Sequence, residues 1–329
     1  MTIRASVKRD HVTRSESRRA ANLELCSRFA VVRETRLHWA EMGAAEDSVP
    51  LVMLHGLNDW HLTWRRVAPA LATKRRLLMP DLAGHGRSER PNASYELAWH
   101  SRLIAEWFEA IGLQKVDVLG HSYGGGVAQM LLLECPERIR RLVLVASGGL
   151  GRHVGLPLRL ASLPLFVERF GQPFMALGTR LAMHGVLDAE DIAELSAINA
   201  GQGSARAFAR TIRDVVDWSG QRRLFLQRAH ELQSLPPIAV FWGDQDKLIR
   251  FSDGKAFAES VEGIVFRAFA GSSHYIHHDQ PEAFVRAVCE FLDDPNAATT
   301  RLRSKPRPHF QRFLNAVMRR RKPDAPTPG

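Results

Sequence analysis

Cysteine is scarce in this chain and a long apolar run is missing, and each absence removes a class of protein. Cys26, Cys135 and Cys289 are the only cysteines in 329 residues, an odd and widely spaced set. Such a set suits a reducing compartment and builds neither a disulfide framework nor a thiolate metal site. No stretch of about 18 apolar residues occurs, so no membrane-spanning helix is expected. The opening residues Met1-Thr2-Ile3-Arg4 lead into a polar, basic segment without the apolar centre of a secretory signal. A cytoplasmic location is therefore expected. His277 and His278 are adjacent, yet no spaced acid or cysteine set completes a metal site around them. No metal or cofactor is expected.

The body of the chain also lacks a basic balance, although the net charge is +10. Residues 1–20 hold six bases against two acids, and residues 295–329 hold nine against one. The remaining 274 residues carry 30 bases and 32 acids. A basic body would indicate a nucleic-acid surface, and this one does not. Basic ends on a neutral body read as arms, disordered or touching something acidic. In the second arm, Phe310, Phe313, Leu314, Val317 and Met318 fall at helical spacing ahead of Arg319-Arg320-Arg321-Lys322. That pattern is an amphipathic helix with a basic end, suited to weak contact with an anionic membrane.

What is present is a rhythm of short apolar runs and helical stretches. Phe29–Val32 and Leu37–Ala40 suggest a first pair of strands. Leu51–Leu54, Arg76–Met79, Val116–Leu119 and Leu142–Val145 read as buried parallel strands. Between them, Thr63–Thr73 and Tyr95–Ile111 have helical spacing, the latter with Leu97, Ile104, Trp107, Phe108 and Ile111 on one face. This alternation predicts an α/β protein with a mostly parallel, doubly wound sheet. The rhythm breaks at Gly148-Gly149, and residues 148–235 offer helices but no strand. It resumes with Ile238–Trp242, Ile264–Phe266 and a helix from Pro281 to Leu292. The expected division is a lead-in at 1–27, a core at 28–147 and 236–294, a helical cap at 148–235, and a basic tail at 295–329. An insertion at that point lies over the edge where open parallel sheets bind ligands.

Chemistry concentrates just past the strand ends. Gly120-His121-Ser122-Tyr123-Gly124 stands between a strand and a helix, the layout of a nucleophile elbow. The serine occupies a sharp turn, and side chains at the flanking glycines would strike the neighbouring strand or helix. A serine hydroxyl needs a base to take its proton and a carboxylate to orient that base. Gly243-Asp244-Gln245-Asp246 and Gly271-Ser272-Ser273-His274 each follow a predicted strand and supply both types.

With these residues in view, the chain resembles the α/β-hydrolase fold family, in its cap-bearing branch of esterases and carbon–carbon hydrolases. The resemblance spans residues 28–293 and rests on four segments. His55-Gly56-Leu57-Asn58 is similar to the oxyanion loop, and Asp81-Leu82-Ala83-Gly84-His85-Gly86-Arg87-Ser88 to the glycine-rich loop after the fourth strand. Gly120–Gly124 resembles the elbow. His274, seven residues ahead of Pro281, resembles the terminal histidine segment. The resemblance implies Ser122 as nucleophile, His274 as general base and Asp246 as orienting acid, with Asp244 the alternative. No acid follows the strand ending Val145-Ala146-Ser147, where some relatives keep theirs. Backbone amides of Leu57 and Tyr123 would form the oxyanion hole. His55, His85, Arg87 and His121 take packing or hydrogen-bonding roles in that scheme, and Trp60 and Trp64 pack the first helix or rim the pocket.

The expected activity is a serine hydrolase acting on an ester, thioester or related carbonyl through an acyl-enzyme, on a small and apolar acyl substrate. Carbon–carbon hydrolysis of a ring-fission product and acyl transfer use the same triad. A non-catalytic ligand-binding protein is the alternative of another class. Haloalkane dehalogenases and epoxide hydrolases of this fold place a carboxylate where this chain has Ser122. Nothing in the sequence points to an oligomeric state.

Overall fold

Apolar runs of four to seven residues extend into strands, and those covered on both faces form the centre of one sheet. A computed structural model describes residues 24–43, 48–163, 166–232 and 234–302. The basic lead-in before residue 24 and the amphipathic segment 309–322 lie outside the described residues. Eight strands form the main sheet: β1 (Cys26–Val32), β2 (Thr35–Met42), β3 (Leu51–Leu54), β4 (Leu77–Pro80), β5 (Val116–His121), β6 (Ile139–Val145), β7 (Ile238–Gly243) and β8 (Val265–Phe269). Their order is β1-β2-β4-β3-β5-β6-β7-β8. β2 runs antiparallel to β1 and β4, and every other pairing is parallel. The central β3, β4, β5 and β7 are buried at every residue, while the edge strands differ: β1 is exposed over most of its length, and β8 is exposed or half-buried up to Phe269, which is buried.

Side-chain alternation along these strands builds two apolar layers. Val52, Leu54 and Val118 face Ile104 and Phe108 of α2 (Leu97–Ala110), Leu131 of α3 (Tyr123–Glu134) and Phe257. Leu51, Met53 and Leu119 face Trp64, Val67 and Leu71 beside α1 (Ala68–Ala72), together with Phe284 and Val288. Trp64 is therefore core. Residues 61–72 form two pieces, a 3₁₀ turn at His61–Trp64 and α1, where the sequence suggested one helix over 63–73.

Between β6 and β7 the chain runs through α4 (Leu156–Ala161), α5 (Phe166–Phe170), α6 (Met175–Met183), α7 (Ala189–Asn199) and α8 (Ser204–Val215). It docks through Met183, Leu187 and Leu195 packed on Trp60. Around that contact Arg65 pairs with Asp191, Arg66 with Asp188 at 3.2 Å and Arg87 with Glu194 at 2.8 Å. After β7 come α9 (Phe251–Ser260), α10 (Ile276–Asp279) and α11 (Pro281–Asp293), the last with Pro281 in its first turn. Two short ladders escape sequence patterning because two residues carry no period. Val216–Asp217 pairs with Gly220–Gln221 inside the insertion. Val261–Glu262 pairs with Arg301–Leu302, and Thr300 bridges Leu235, so the start of the basic tail joins the body.

Parallel registers bring the C-terminal ends of the central strands to one edge: Leu54 beside Gly120, His121 beside Val145, Val145 beside Phe241, Gly243 beside Phe269. The turn from β5 into α3 fits there only without side chains. A Cβ on Gly120 would stand 2.5 Å from the Gly124 carbonyl oxygen, and one on Gly124 would stand 2.5 Å from that of His55. Gly120→Ala and Gly124→Ala are each expected to lower unfolding free energy by about 2 kcal/mol or more in urea titrations. Gly178→Ala, where a Cβ meets nothing within 4 Å, should hold or raise stability. Equal effects at all three positions would remove the steric account.

Candidate active site

Ser122 sits between β5 and α3 with φ 53° and ψ −116°, a conformation that L residues avoid. Its carbonyl oxygen accepts bonds from the Gly125 and Gly148 amides at 3.1 and 2.9 Å. Those bonds hold the turn and leave its side chain on a cavity of about 620 Å³. Tyr123 follows as the first residue of α3, where backbone N–H groups have no acceptor within the helix. The His55–Leu57 loop after β3 comes directly alongside: a Cβ on Gly56 would lie 3.4 Å from Cβ of Ser122. Gly56, Leu57, Ser122, Tyr123 and His274 all line the one cavity.

His274 follows β8, and its Nδ1 lies 2.7 Å from Oδ2 of Asp246. The other oxygen of Asp246 accepts from the amides of Leu248 and Ile249 at 2.8 and 3.0 Å. Both carboxylate oxygens are thus engaged, and the imidazole ring is held with Nε2 free of Asp246. Asp244 stands apart, exposed, with Oδ1 accepting from the Gly271 amide at 2.8 Å. It closes the neighbouring loop and does not meet His274. His121 donates from Nε2 to the His274 carbonyl at 3.0 Å, which ties the elbow to the histidine loop. Burial lowers the His121 imidazole well below its ordinary value, so it is a neutral strut.

The His55–Asn58 loop is braced by the loop after β4 and by the insertion. The Leu82 amide donates to Nε2 of His55 at 3.0 Å, which places the ring proton on Nδ1, 2.8 Å from the Gly56 carbonyl. His55 thereby joins the loops after β3 and β4. Asn58, at φ 59°, donates to Thr179 Oγ1 at 3.0 Å, and Asn199 donates to the same oxygen at 3.1 Å and to the Asn58 carbonyl at 3.2 Å. This knot couples the loop to α6 and α7, and sequence reasoning missed Thr179 and Asn199 altogether. His100 was missed too: Nε2 donates to Ala83 O at 2.9 Å and Nδ1 accepts from the Tyr123 hydroxyl at 2.8 Å. The one available signal was a histidine on the apolar face of α2. The Tyr123 ring is held by that bond.

His38, His61 and Asp81 form the one group among the described residues whose donor atoms are close enough to share a metal ion. Asp81 is already saturated: Nδ1 of His38 and of His61 and the amides of His61 and Arg87 all reach its oxygens at 2.8–3.0 Å. Burial alone would raise this carboxyl, but His61 and His38 outweigh it and hold it far below the ordinary range. The arrangement is a hydrogen-bonded support under the glycine-rich loop. His277 and His278 share Thr63 Oγ1 through Nε2, at 3.1 and 3.4 Å, and burial lowers both rings. His85 is likewise buried and lowered, bonded within its loop to Ala83 O.

Asp59, two residues beyond Leu57, is buried with Oδ1 accepting from the Trp60 amide at 2.9 Å and Oδ2 unpartnered among the described residues. Burial pushes its carboxyl up to about 7, against the opposing bonds of Trp60 N–H and Thr63. The folded chain therefore holds a proton that the unfolded chain has released above its ordinary range near 4, and stability falls as pH rises from about 4 to 7. Asp59→Asn removes that dependence. Its unfolding free energy relative to wild type should move in its favour by about 1–3 kcal/mol between about pH 4 and pH 8 in urea titrations. A difference that does not vary with pH would contradict the buried-acid assignment.

Comparison with known proteins agrees with this geometry. The alpha/beta hydrolase fold family matches residues 49–281. The chain is 30% identical over 290 residues to an uncharacterized protein of Mycobacterium tuberculosis (strain ATCC 25618 / H37Rv), covering 82% of this chain and 80% of that one. It is 30% identical over 261 residues to a 2-hydroxymuconate semialdehyde hydrolase of Pseudomonas sp. (strain CF600), covering 76% and 88%. An epoxide hydrolase structure superposes with a TM-score of 0.68 at 23% identity, over 82% of this chain and 99% of that one. With the eight-stranded sheet and the elbow in place, the chain belongs to the α/β-hydrolase fold family of hydrolytic enzymes.

Proposed function

We propose that this chain is a serine hydrolase that cleaves a neutral, apolar acyl ester or thioester through an acyl-enzyme on Ser122. The observation that carries the proposal is the fully engaged Asp246–His274 pair opening onto the same cavity as the strained Ser122 turn. In this reading Nε2 of His274 takes the Ser122 proton as Oγ bonds to the substrate carbonyl carbon. Asp246 keeps the Nδ1 proton in place and stabilises the imidazolium. The amides of Leu57 and Tyr123 receive the oxyanion, each such donor supporting about 3 kcal/mol of transition-state stabilisation. The C–O or C–S bond then breaks and the leaving group takes its proton from His274. Water, deprotonated by the same ring, releases the acid and restores Ser122. No step needs a metal or cofactor.

The substrate class follows from the lining. Leu158, Met175, Phe208, Ile212, Val215 and Leu248 supply apolar walls from the insertion and the β7 loop, which acts as a cap in this reading. Arg223 is the one cationic side chain among the lining residues, and Asp214 is bonded to it. A substrate carboxylate gains little from a guanidinium already paired, which favours a neutral acyl chain. Carbon–carbon hydrolysis is the second reading, favoured by the 30% identity to the semialdehyde hydrolase. Epoxide opening is disfavoured because the elbow carries a serine in place of a carboxylate.

A fluorophosphonate probe should label wild type and leave Ser122→Ala unlabelled. Ser122→Ala and His274→Ala should each lose about 10⁴-fold or more in kcat without unfolding, and Asp246→Asn about 10³–10⁴-fold, while Asp244→Asn stays within about threefold. A Ser122→Ala enzyme that keeps most of its esterase activity removes the mechanism. On p-nitrophenyl esters, kcat/KM is expected to rise with acyl length until the cavity is filled. Preference for a ring-fission dienone over every ester would replace the ester reading with the carbon–carbon one.

A further inference from the structure

An insertion helix on a soluble protein keeps its apolar stripe inward and turns charge outward. α4 and α6 do not. Their inner sides line the cavity with Leu158, Ala161, Met175 and Met183. Their outer sides carry Leu160, Leu177 and Leu181, exposed by 49%, 55% and 71%, with Leu156 exposed beside them. Pro157, Phe174, Gly178 and Ala182 are both exposed and part of the cavity wall. The cavity mouth therefore opens between α4 and α6, inside a rim of exposed leucines. Single exposed apolar residues are ordinary, but a patch surrounding the entrance of a site marks a contact surface.

Charge identifies what it contacts. Residues 152–183 carry Arg152, Arg159, Arg169 and Arg180 against one acid, Glu168. Glu168 is occupied by Arg210 and Arg213. The segment that frames the apolar mouth is net positive, with Arg169 and Arg180 exposed and Arg152 and Arg159 half-buried, which complements an anionic lipid surface where leucines enter the acyl boundary and the exposed arginines stay at the headgroups. It disfavours a second copy of the same face, which would bring like charges together. It also disfavours the basic tail. That tail leaves the body beside Val261–Glu262, just ahead of β8, at the sheet edge opposite the C-terminal strand ends that hold Ser122 and His274.

We infer that α4 and α6 dock on an anionic lipid–water interface, so that the apolar acyl substrate passes from that interface through the α4–α6 mouth to Ser122. The substrate class is then an acyl ester held in a lipid phase. That last part rests on the hydrolase reading above, whereas docking itself does not. Approach through this rim lets the acyl chain move from one apolar phase to another, with little of it crossing water.

The test is flotation of the full-length chain with vesicles of equal parts phosphatidylcholine and phosphatidylglycerol. Binding needs no turnover, so Ser122→Ala is the reference protein. The combined variant Leu160→Glu, Leu177→Glu and Leu181→Glu, built on wild type and on Ser122→Ala, changes only exposed side chains outside the cavity wall. It is expected to lose vesicle partitioning by about tenfold or more. Its turnover of a soluble short-chain ester should stay near wild type, while its turnover of the same acyl group presented in vesicles falls with binding. Binding by Ser122→Ala should weaken in vesicles of phosphatidylcholine alone and in high salt. Equal flotation of the reference and the leucine variant would place membrane contact elsewhere, such as in the basic tail, and overturn the inference. So would absence of flotation by Ser122→Ala, or self-association in sedimentation that the leucine variant abolishes while neither protein floats. Flotation that depends on the three leucines, in a protein that turns over no ester, keeps the docking surface and removes the hydrolase reading.

Discussion

The close approach of the β5–α3 turn to the end of β3 is the constraint on which the rest of this site depends. Gly124 lets the turn press on the carbonyls of Leu54 and His55 at the end of β3, and Gly120 lets β5 pack under the Gly124 carbonyl, at separations that no side chain permits. That contact sets Ser122 beside Gly56, and Leu57 and Tyr123 line the same cavity. The unfavourable φ of Ser122 persists because bonds from Gly125 and Gly148 over-determine it. A looser turn would relax the backbone, and the hydroxyl would lose its defined relation to the loops after β3 and β8.

Around this contact the polar groups are arranged so that few charges are left unbalanced. Asp246 and Asp81 have both oxygens occupied, by His274 and two amides in one case and by two histidines and two amides in the other. His55, His100 and His121 are buried and lowered, and each spans two loops or elements as a neutral strut. Asp59 departs from that economy. It is buried with one oxygen unpartnered, close enough to His274 for their charges to interact, and stays protonated up to about 7.

The insertion has two surfaces with different tasks. Inward, it lines the cavity with apolar side chains and braces the His55–Asn58 loop through Thr179 and Asn199. Outward, around the cavity mouth, it presents leucines and arginines where a soluble enzyme ordinarily presents a mixed polar face. The proposed chemistry and the inferred docking surface meet at one opening, so access to Ser122 and contact with lipid are geometrically linked.

Much of this was legible in the chain. Unbroken short apolar runs such as Leu51–Leu54 and Ile238–Trp242, alternating with helical stretches, read as strands covered on both faces, and helical spacing placed the apolar face of α2. The elbow is local, because its glycines and serine are consecutive and their steric demand is written in five residues. Tertiary structure alone decided the rest. The resemblance favoured Asp246 over Asp244, but both follow the same strand, and only the packing of the β7 and β8 loops shows His274 meeting the second. Thr179 and Asn199 meet Asn58 across more than a hundred residues, which no period or motif encodes. The acidity of Asp59 and the outward leucines of α4 and α6 depend on what does or does not cover them. Sequence fixes which groups are present and their local geometry; burial and convergence come from the folded chain, because both depend on neighbours that are distant in sequence.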